Sequence, residues 1–294
     1  MKFGLMYGGA GPWASRAGAL ALATQAEGAG FNSLWAVDHA IVNSDSFDET
    51  YSEKGGSWEF TSEYPIADPM GWLSFAAAVT TKIELCTGIV IAPIRPPVIL
   101  ANQAATLDVL SQGRLRLGVG AGWVADELTA CGVPFEERVA RLEEGIAVMR
   151  ELWAGPAASY QGDFTSFDRM TLSPRPAAGR IPVILGGRVR AAAERAGRIG
   201  DGFFPHTRDV ERLKSLFEIA QKAAEKAGRD PAELSLVAGG ARTADDLAAL
   251  EAIGVTDVIF SPRARSIEEL GERLGSLMCD LIAPFVRGTT NEVV

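Results

Sequence analysis

Short apolar runs recur along this chain, each followed by a stretch long enough for a helix, and that rhythm constrains the fold more than any single motif. Eight runs read as strands: KFGLMY at 2–7, FNSLWAV at 31–37, IELCTGIVI at 83–91, RLRLGV at 114–119, PVIL at 182–185, GFF at 202–204, LSLVA at 234–238 and DVIF at 257–260. Strands separated by helical stretches are joined by crossovers and lie parallel. Eight is the number that closes a (β/α)8 barrel of the TIM type, and a chain of 294 residues is long enough for one. The expectation is an α/β protein whose residues 1–294 form one barrel domain.

The intervening segments carry helical periodicity. Phe135, Val139, Leu142, Ile146, Met149 and Trp153 advance by steps of 4, 3, 4, 3 and 4, and Val210, Leu213, Phe217, Ala220, Ala224 and Ala227 do much the same. The last helix opens SIEEL, with Ser266 as N-cap, Glu269 three residues on, and Ile267, Leu270, Leu274, Leu277 and Leu281 behind it. Two insertions break the rhythm. The segment 38–65, after strand 2, holds seven acids and one lysine and is too long for a simple connection. It leaves the C-terminal end of a strand, the active-site face of such a barrel, so it reads as a lid or substrate loop, with a solvated insertion as the alternative. The second, 156–176, alternates like a small hairpin before strand 5.

Charge and cysteine content narrow the function. With 28 basic against 37 acidic residues, net charge -9 and no Lys/Arg block, nucleic acid and anionic membrane are poor partners and a small molecule is the better one. Cys86, Cys131 and Cys279 are scattered and odd in number, and there are two histidines far apart, so neither a disulfide framework nor a metal site is expected. No window reaches ~18 uninterrupted apolar residues, and a cytoplasmic location is expected.

Four short stretches at strand ends could carry chemistry. GVGAGW at 118–123 does not fit a dinucleotide fingerprint, since its glycines fall at 118, 120 and 122 and position 123 is Trp. It reads either as backbone open to a flat ligand or as turn geometry. LGG at 185–187 runs into a helix starting near Arg188, and its amides with Arg188 or Arg190 suit a phosphate. TGI at 87–89 puts a glycine inside a strand, which marks a bulge or a close contact. LWAVDHA at 34–40 ends on Asp38 and His39, whose side chains diverge if the strand persists, so the two act separately. His39 at a barrel mouth is a natural general acid or base, or else a polar strand-end residue bonded to a loop carbonyl. His206 also follows a strand and is expected at the same mouth.

The order of GFNSLWAVDHA, IELCTGIVIAPIRPPVILANQAATLDVLSQGRLRLGVGAGW, PFEERVARLEEGIAVMRELW, LSPRP and IPVILGGRVRAAAERAGRIGDGFFP resembles the luciferase-like superfamily of flavin- and deazaflavin-dependent oxidoreductases. The likeness is greatest to its coenzyme F420-dependent members and covers roughly residues 1–206. It implies that Asp38 contacts the deazaflavin ring through backbone and that His39 stands beside the reactive carbon. It implies a non-prolyl cis peptide between Gly88 and Ile89 behind the ring, Gly120 and Gly122 along the cofactor with Trp123 beside them, and Gly186 and Gly187 at its phosphate. Trp123 stands where sugar-phosphate dehydrogenases of the family carry a catalytic Glu, and so favours a hydrophobic substrate. The resemblance implies an F420-dependent oxidoreductase, cytoplasmic and homodimeric. The alternatives are an FMN-dependent monooxygenase served by a separate reductase, and a non-catalytic flavin-binding paralogue. The FMN members often show His-x-x-Arg-Tyr where this chain reads PFEERVARLEE.

Overall fold

The computed structural model describes residues 1–45, 47 and 61–291. In chain order the strands are β1 (Lys2–Gly8), β2 (Ser33–Ala36), β3 (Glu84–Thr87), β4 (Val90–Ile91), β5 (Leu115–Gly120), β6 (Ala158–Gln161), β7 (Ser166–Met170), β8 (Val183–Gly186), β9 (Gly202–Phe204), β10 (Ser235–Gly239) and β11 (Asp257–Phe260). The barrel runs β1, β2, β3, β5, β8, β9, β10, β11 and back to β1, every pairing parallel. This is the closed eight-stranded (β/α)8 barrel that the apolar rhythm predicts. The hairpin expected before strand 5 is the antiparallel pair β6–β7.

The outer ring consists of α1 (Arg16–Ala29), α2 (Pro69–Val79), α3 (Pro97–Leu110), α4 (Ala125–Ala130), α5 (Arg138–Ala154), α6 (Arg190–Ile199), α7 (Val210–Lys226), α8 (Ala244–Ala252), α9 (Ile267–Ser276) and α10 (Ala283–Asn291). The periodic faces point inward as expected: Leu142, Ile146, Met149 and Trp153 of α5 and Leu213, Phe217, Ala220 and Ala224 of α7 are buried. Ala227 falls one residue beyond α7 and is exposed. Ser266 caps α9 by accepting from the Glu269 amide at 3.4 Å. The helical run then loosens into a π-turn over Leu277–Ile282.

Side chains alternate between two apolar layers. Leu34, Leu85, Leu117 and Val183 pack in the layer beneath the helices, while Trp35, Cys86, Ile184 and Phe204 fill the barrel with Met6, Val237 and Ile259. Tyr7, Val37 and Ile89 lie partly buried on that inner stack.

Three boundaries differ from expectation. The third run, read as one strand, is interrupted by a cis peptide between Gly88 and Ile89, so its second part is the separate strand β4 paired with β5. Strand β2 stops at Ala36, two residues before Asp38. The helix after LGG begins at Arg190 rather than near Arg188. Much of the acidic insertion, residues 46 and 48–60, lies outside the described residues, and the lid expectation with it.

Candidate active site

The mouth forms where the C-terminal ends of the parallel strands meet, and just past β2 it receives two acid–base pairs that share no partner. Asp38 is buried, and its carboxylate accepts from Arg95 at 2.6 and 2.9 Å and from the Ile91 amide at 2.8 Å. Arg95 also donates to Asp68 at 3.0 Å. Burial raises the Asp38 pKa, against which the Arg95 bonds and charge and the Ile91 amide act. Burial likewise opposes the charge on Arg95, yet its bonds to Asp38 and Asp68 raise its pKa overall, so the guanidinium stays charged. Two parallel N–H···O bonds fix both groups. Asp38 is thereby a strut that ties the end of β2 to β4 and the loop before α3.

His39 turns the other way. Its Nδ1 lies 2.9 Å from Glu127 Oε2, and the other oxygen of that carboxylate accepts from the Ala40 amide at 2.6 Å. The Glu127 side chain is 1% exposed and that of His39 15%. An ionised carboxylate only accepts, so Glu127 places the ring proton on Nδ1 and leaves Nε2 of a neutral imidazole as an acceptor. The ring is held sideways as well, edge-on to Phe47 and Trp123 at centroid distances of 5.6 and 5.7 Å. The divergence of Asp38 and His39 expected from alternation is present, although the strand has already ended.

The floor is apolar. Behind the cis peptide, Ile89 reaches across to β5 and β8: a Cβ on Gly120 would overlap Ile89 Cδ1, and one on Gly186 would lie 2.9 Å from it. Both glycines therefore have a packing reason that owes nothing to a ligand. Gly122, at φ +80, continues the turn into α4, which carries Glu127.

On the far side, β8 passes through Gly187 to α6, whose N-cap is Val189 with no side chain bonded to its first amides. Arg190 pairs with Glu194 at 2.8 Å on the exposed face of α6 and is not part of the mouth. His206 follows β9, its ring 5.9 Å from that of Phe204. It is open to solvent within the concavity, but the enclosing rim, then Arg188 and Arg208, push its pKa down to about 4. Two hollows, of about 720 and 390 Å³, flank α5 and the hairpin, and neither is lined by His39, Glu127 or Ile89. Among the described residues no three His, Cys, Asp or Glu side chains gather as a metal ion would require, and no helix is long and apolar enough to cross a membrane.

The structure thus brings Asp38, His39, Gly88, Ile89, Gly120, Gly122, Trp123, Gly186 and Gly187 to one end of the barrel. Sequence reasoning missed Glu127, Arg95 and Tyr7. Glu127 left a faint signal as an acid four residues after Trp123 on a strand-end connection, and Arg95 as a lone charge in APIRPP. Tyr7, at φ 70 in the bulged end of β1, left none.

This architecture has relatives. The luciferase-like monooxygenase family model matches residues 1–266, and the chain belongs to that family. An uncharacterised protein of Mycobacterium tuberculosis (strain ATCC 25618 / H37Rv) is 32% identical over 243 residues, covering 82% of this chain and 84% of the relative. An F420-dependent glucose-6-phosphate dehydrogenase of Nakamurella multipartita is 32% identical over 219 residues, 72% of this chain and 59% of that one. An FMNH(2)-dependent dimethylsulfone monooxygenase of Pseudomonas fluorescens is 34% identical over 151 residues, 50% of this chain and 41% of that one. Among solved structures, an F420-dependent secondary alcohol dehydrogenase in complex with an F420-acetone adduct superposes with a TM-score of 0.78 at 20% identity, over 97% of this chain and 99% of the other. The family and its members support an oxidoreductase.

Proposed function

We propose that this protein is an F420-dependent oxidoreductase acting at the C-terminal mouth of its barrel on a small organic substrate with an apolar body. The observation that carries the reading is the His39–Glu127 clamp, a proton-transfer group oriented at the edge of an apolar floor. The residues present fit a flat, phosphorylated cofactor. Tyr7, Val37 and Ile89 offer a partly open apolar surface, and the uncapped start of α6 offers amides to an anion. In this reading the backbone at Asp38 with Gly88, Ile89, Gly120, Gly122 and Trp123 holds the ring, while Gly186 and Gly187 lead into the phosphate grip. When bound, the deazaflavin supplies hydride transfer at its C5. The protein's own residues do the rest: Arg95 fixes Asp38, Trp123 and Phe47 exclude water from one wall, and His39 Nε2 takes or returns the substrate proton.

An FMN-dependent monooxygenase fed by a separate reductase is the second reading, favoured by the dimethylsulfone monooxygenase relative. A non-catalytic flavin-binding paralogue would need the ring and phosphate contacts and gives Glu127 no task. We also read residues 1–294 as one domain, cytoplasmic and homodimeric. Exposed Val98, Ile99, Val109 and Leu110 along α3 support self-association, which sedimentation velocity tests. Titrating the purified protein with F420 and with FMN tests the main proposal. Micromolar F420 binding with hydride turnover is expected. Micromolar FMN binding without F420 binding overturns it, and binding of either without turnover of any substrate favours the paralogue.

A further inference from the structure

The hollow of about 390 Å³ beside α5 lies outside the mouth and touches it through Arg95. Four separate stretches wall it: the turn from β4 into the first residues of α3, the loop after α4, α5 itself and the tip of the β6–β7 hairpin. Pro93, Pro97, Leu100, Val133, Met149 and Phe164 make the wall largely apolar, and a space of this size matches a small-molecule pocket rather than a packing defect. The walls are held in place. Prolines at 93, 96 and 97 fix the backbone of one of them. Glu144 of α5 accepts from the Asp163 and Phe164 amides at 2.8 and 3.0 Å, and Arg141 lies over the Phe164 ring at 4.3 Å, which tethers the hairpin tip to α5.

One wall is thinner than packing requires. Among the described residues three glycines are buried within helices, Gly18, Gly145 and Gly197. A Cβ on Gly18 would overlap Pro12 O and one on Gly197 would overlap Ala220 O, so close packing explains both. A Cβ on Gly145 would meet only Pro97 Cβ, at 3.7 Å, an ordinary contact. Glycine inside a helix is less stable than alanine, and here no neighbour asks for it. What its missing side chain leaves is room in the hollow, whose wall Gly145 forms. The charges on the rim are already satisfied: Arg95 by Asp38 and Asp68, Arg141 by Glu137 at 2.6 Å, and Glu144 by the hairpin amides. None of them calls for a counter-ion.

We propose that this hollow is a second small-molecule site that takes a neutral, apolar ligand the size of a single ring and communicates with the mouth through Arg95. Arg95 forms part of the hollow's wall and also fixes the Asp38 carboxylate. A ligand pressed against Arg95 therefore bears on the pair that holds the end of β2, and the two sites should change each other's affinity reciprocally. The communication rests on the reading of the mouth as a cofactor site; the hollow itself does not.

The thiols provide the readout. Cys131, at the end of α4, lies on the wall, Cys279 is exposed elsewhere and Cys86 is buried. The apo-protein is treated with hydroxyethyl methanethiosulfonate, a small neutral reagent, with and without saturating toluene, and modification of each thiol is followed by peptide mass spectrometry. Toluene should slow the reaction at Cys131 several-fold and leave Cys279 unchanged. Gly145→Leu should fill the hollow and remove that protection; if this variant does not fold, Gly145→Ala should weaken it. Gly145→Ala should also raise the melting temperature, whereas a fall would give the glycine a packing reason and overturn the argument for a kept space. Equal rates at Cys131 with and without toluene overturn the site. A Cys131 that reacts only on dilution shows a second copy of the chain covering the hollow and overturns the small-molecule claim. Saturating F420 or FMN should shift the toluene concentration for half-protection several-fold, and an unchanged value overturns communication through Arg95. A protein that binds neither cofactor would sink the functional reading, while protection of Cys131 would still decide the hollow.

Discussion

The two ends of the barrel use charge in opposite ways. At the N-terminal end Arg116 lies over the Trp35 ring at 5.5 Å and bonds Asp257 at 2.6 Å and Glu84 at 3.2 Å, while Lys2 bonds Glu84 at 2.7 Å. Asp257 accepts further from Thr256 Oγ1 at 2.7 Å. The plug is consumed by its own contacts. At the C-terminal end the pairs Asp38–Arg95 and His39–Glu127 are equally close, but each leaves something over: backbone at Asp38 and Nε2 at His39. Charges that close the bottom satisfy one another, so that removing one partner is costly, and in the proposed reading those at the top are arranged for a bound ligand.

The largest expected effects separate the ends cleanly. His39→Ala should lower turnover by roughly 10²- to 10⁴-fold while cofactor affinity stays within a few-fold, measured by single-turnover kinetics beside a binding titration. A variant with wild-type turnover returns His39 to a structural role. At the other end, Arg116→Ala strands the buried Asp257 and should remove about 3–5 kcal/mol of stability in denaturant unfolding. Turnover per folded molecule should not change. If both variants lost activity and stability alike, the division between the two ends would fail.

Next in size, Glu127→Gln should cost roughly 10- to 100-fold in turnover, the scale of one charge-assisted hydrogen bond of about 1.5–3 kcal/mol. A glutamine cannot accept both from His39 Nδ1 and from the Ala40 amide with its two ends, so either one bond is lost or the imidazole switches to the tautomer that carries its proton on Nε2. If Glu127 positions His39 for proton transfer, the pH profile of kcat should move too, whereas a purely structural role would shift only the melting temperature.

These residues also show how far the sequence was legible. Strand order and the faces of α5 and α7 follow from periodicity, because burial repeats along the chain. His39 was visible as an ionisable group at a strand end. Its orienting carboxylate was not, since Glu127 lies 88 positions away and no spacing rule spans that separation. The glycines were visible, but their packing partner was not. Gly120 and Gly186 look like openings for a ligand, while the side chain that needs them, Ile89, becomes apparent only once β4 folds back toward β5. Gly186→Val should therefore overpack against Ile89, losing about 1–3 kcal/mol of stability along with any loss of cofactor affinity. Full stability in that variant would show that Ile89 yields, and would restore ligand approach as the reason for glycine.

The smallest expected effect lies in the pH dependence of stability and again divides the two ends. His206 is held at a pKa of about 4, below its ordinary value of 6.5, by the rim that encloses it and by Arg188 and Arg208. Between those values the unfolded chain binds a proton that the folded chain refuses, so folding loses stability as pH falls through that window and is unaffected by this group above it. His206→Asn should flatten the curve between pH 6.5 and 4 and leave stability near pH 8 unchanged. The effect should be modest, since solvent reaches the ring and screens the arginines. Unfolding curves across this range that are superimposable for wild type and variant would show that the mouth's positive charge is already balanced, and would make the two ends of the barrel electrostatically alike.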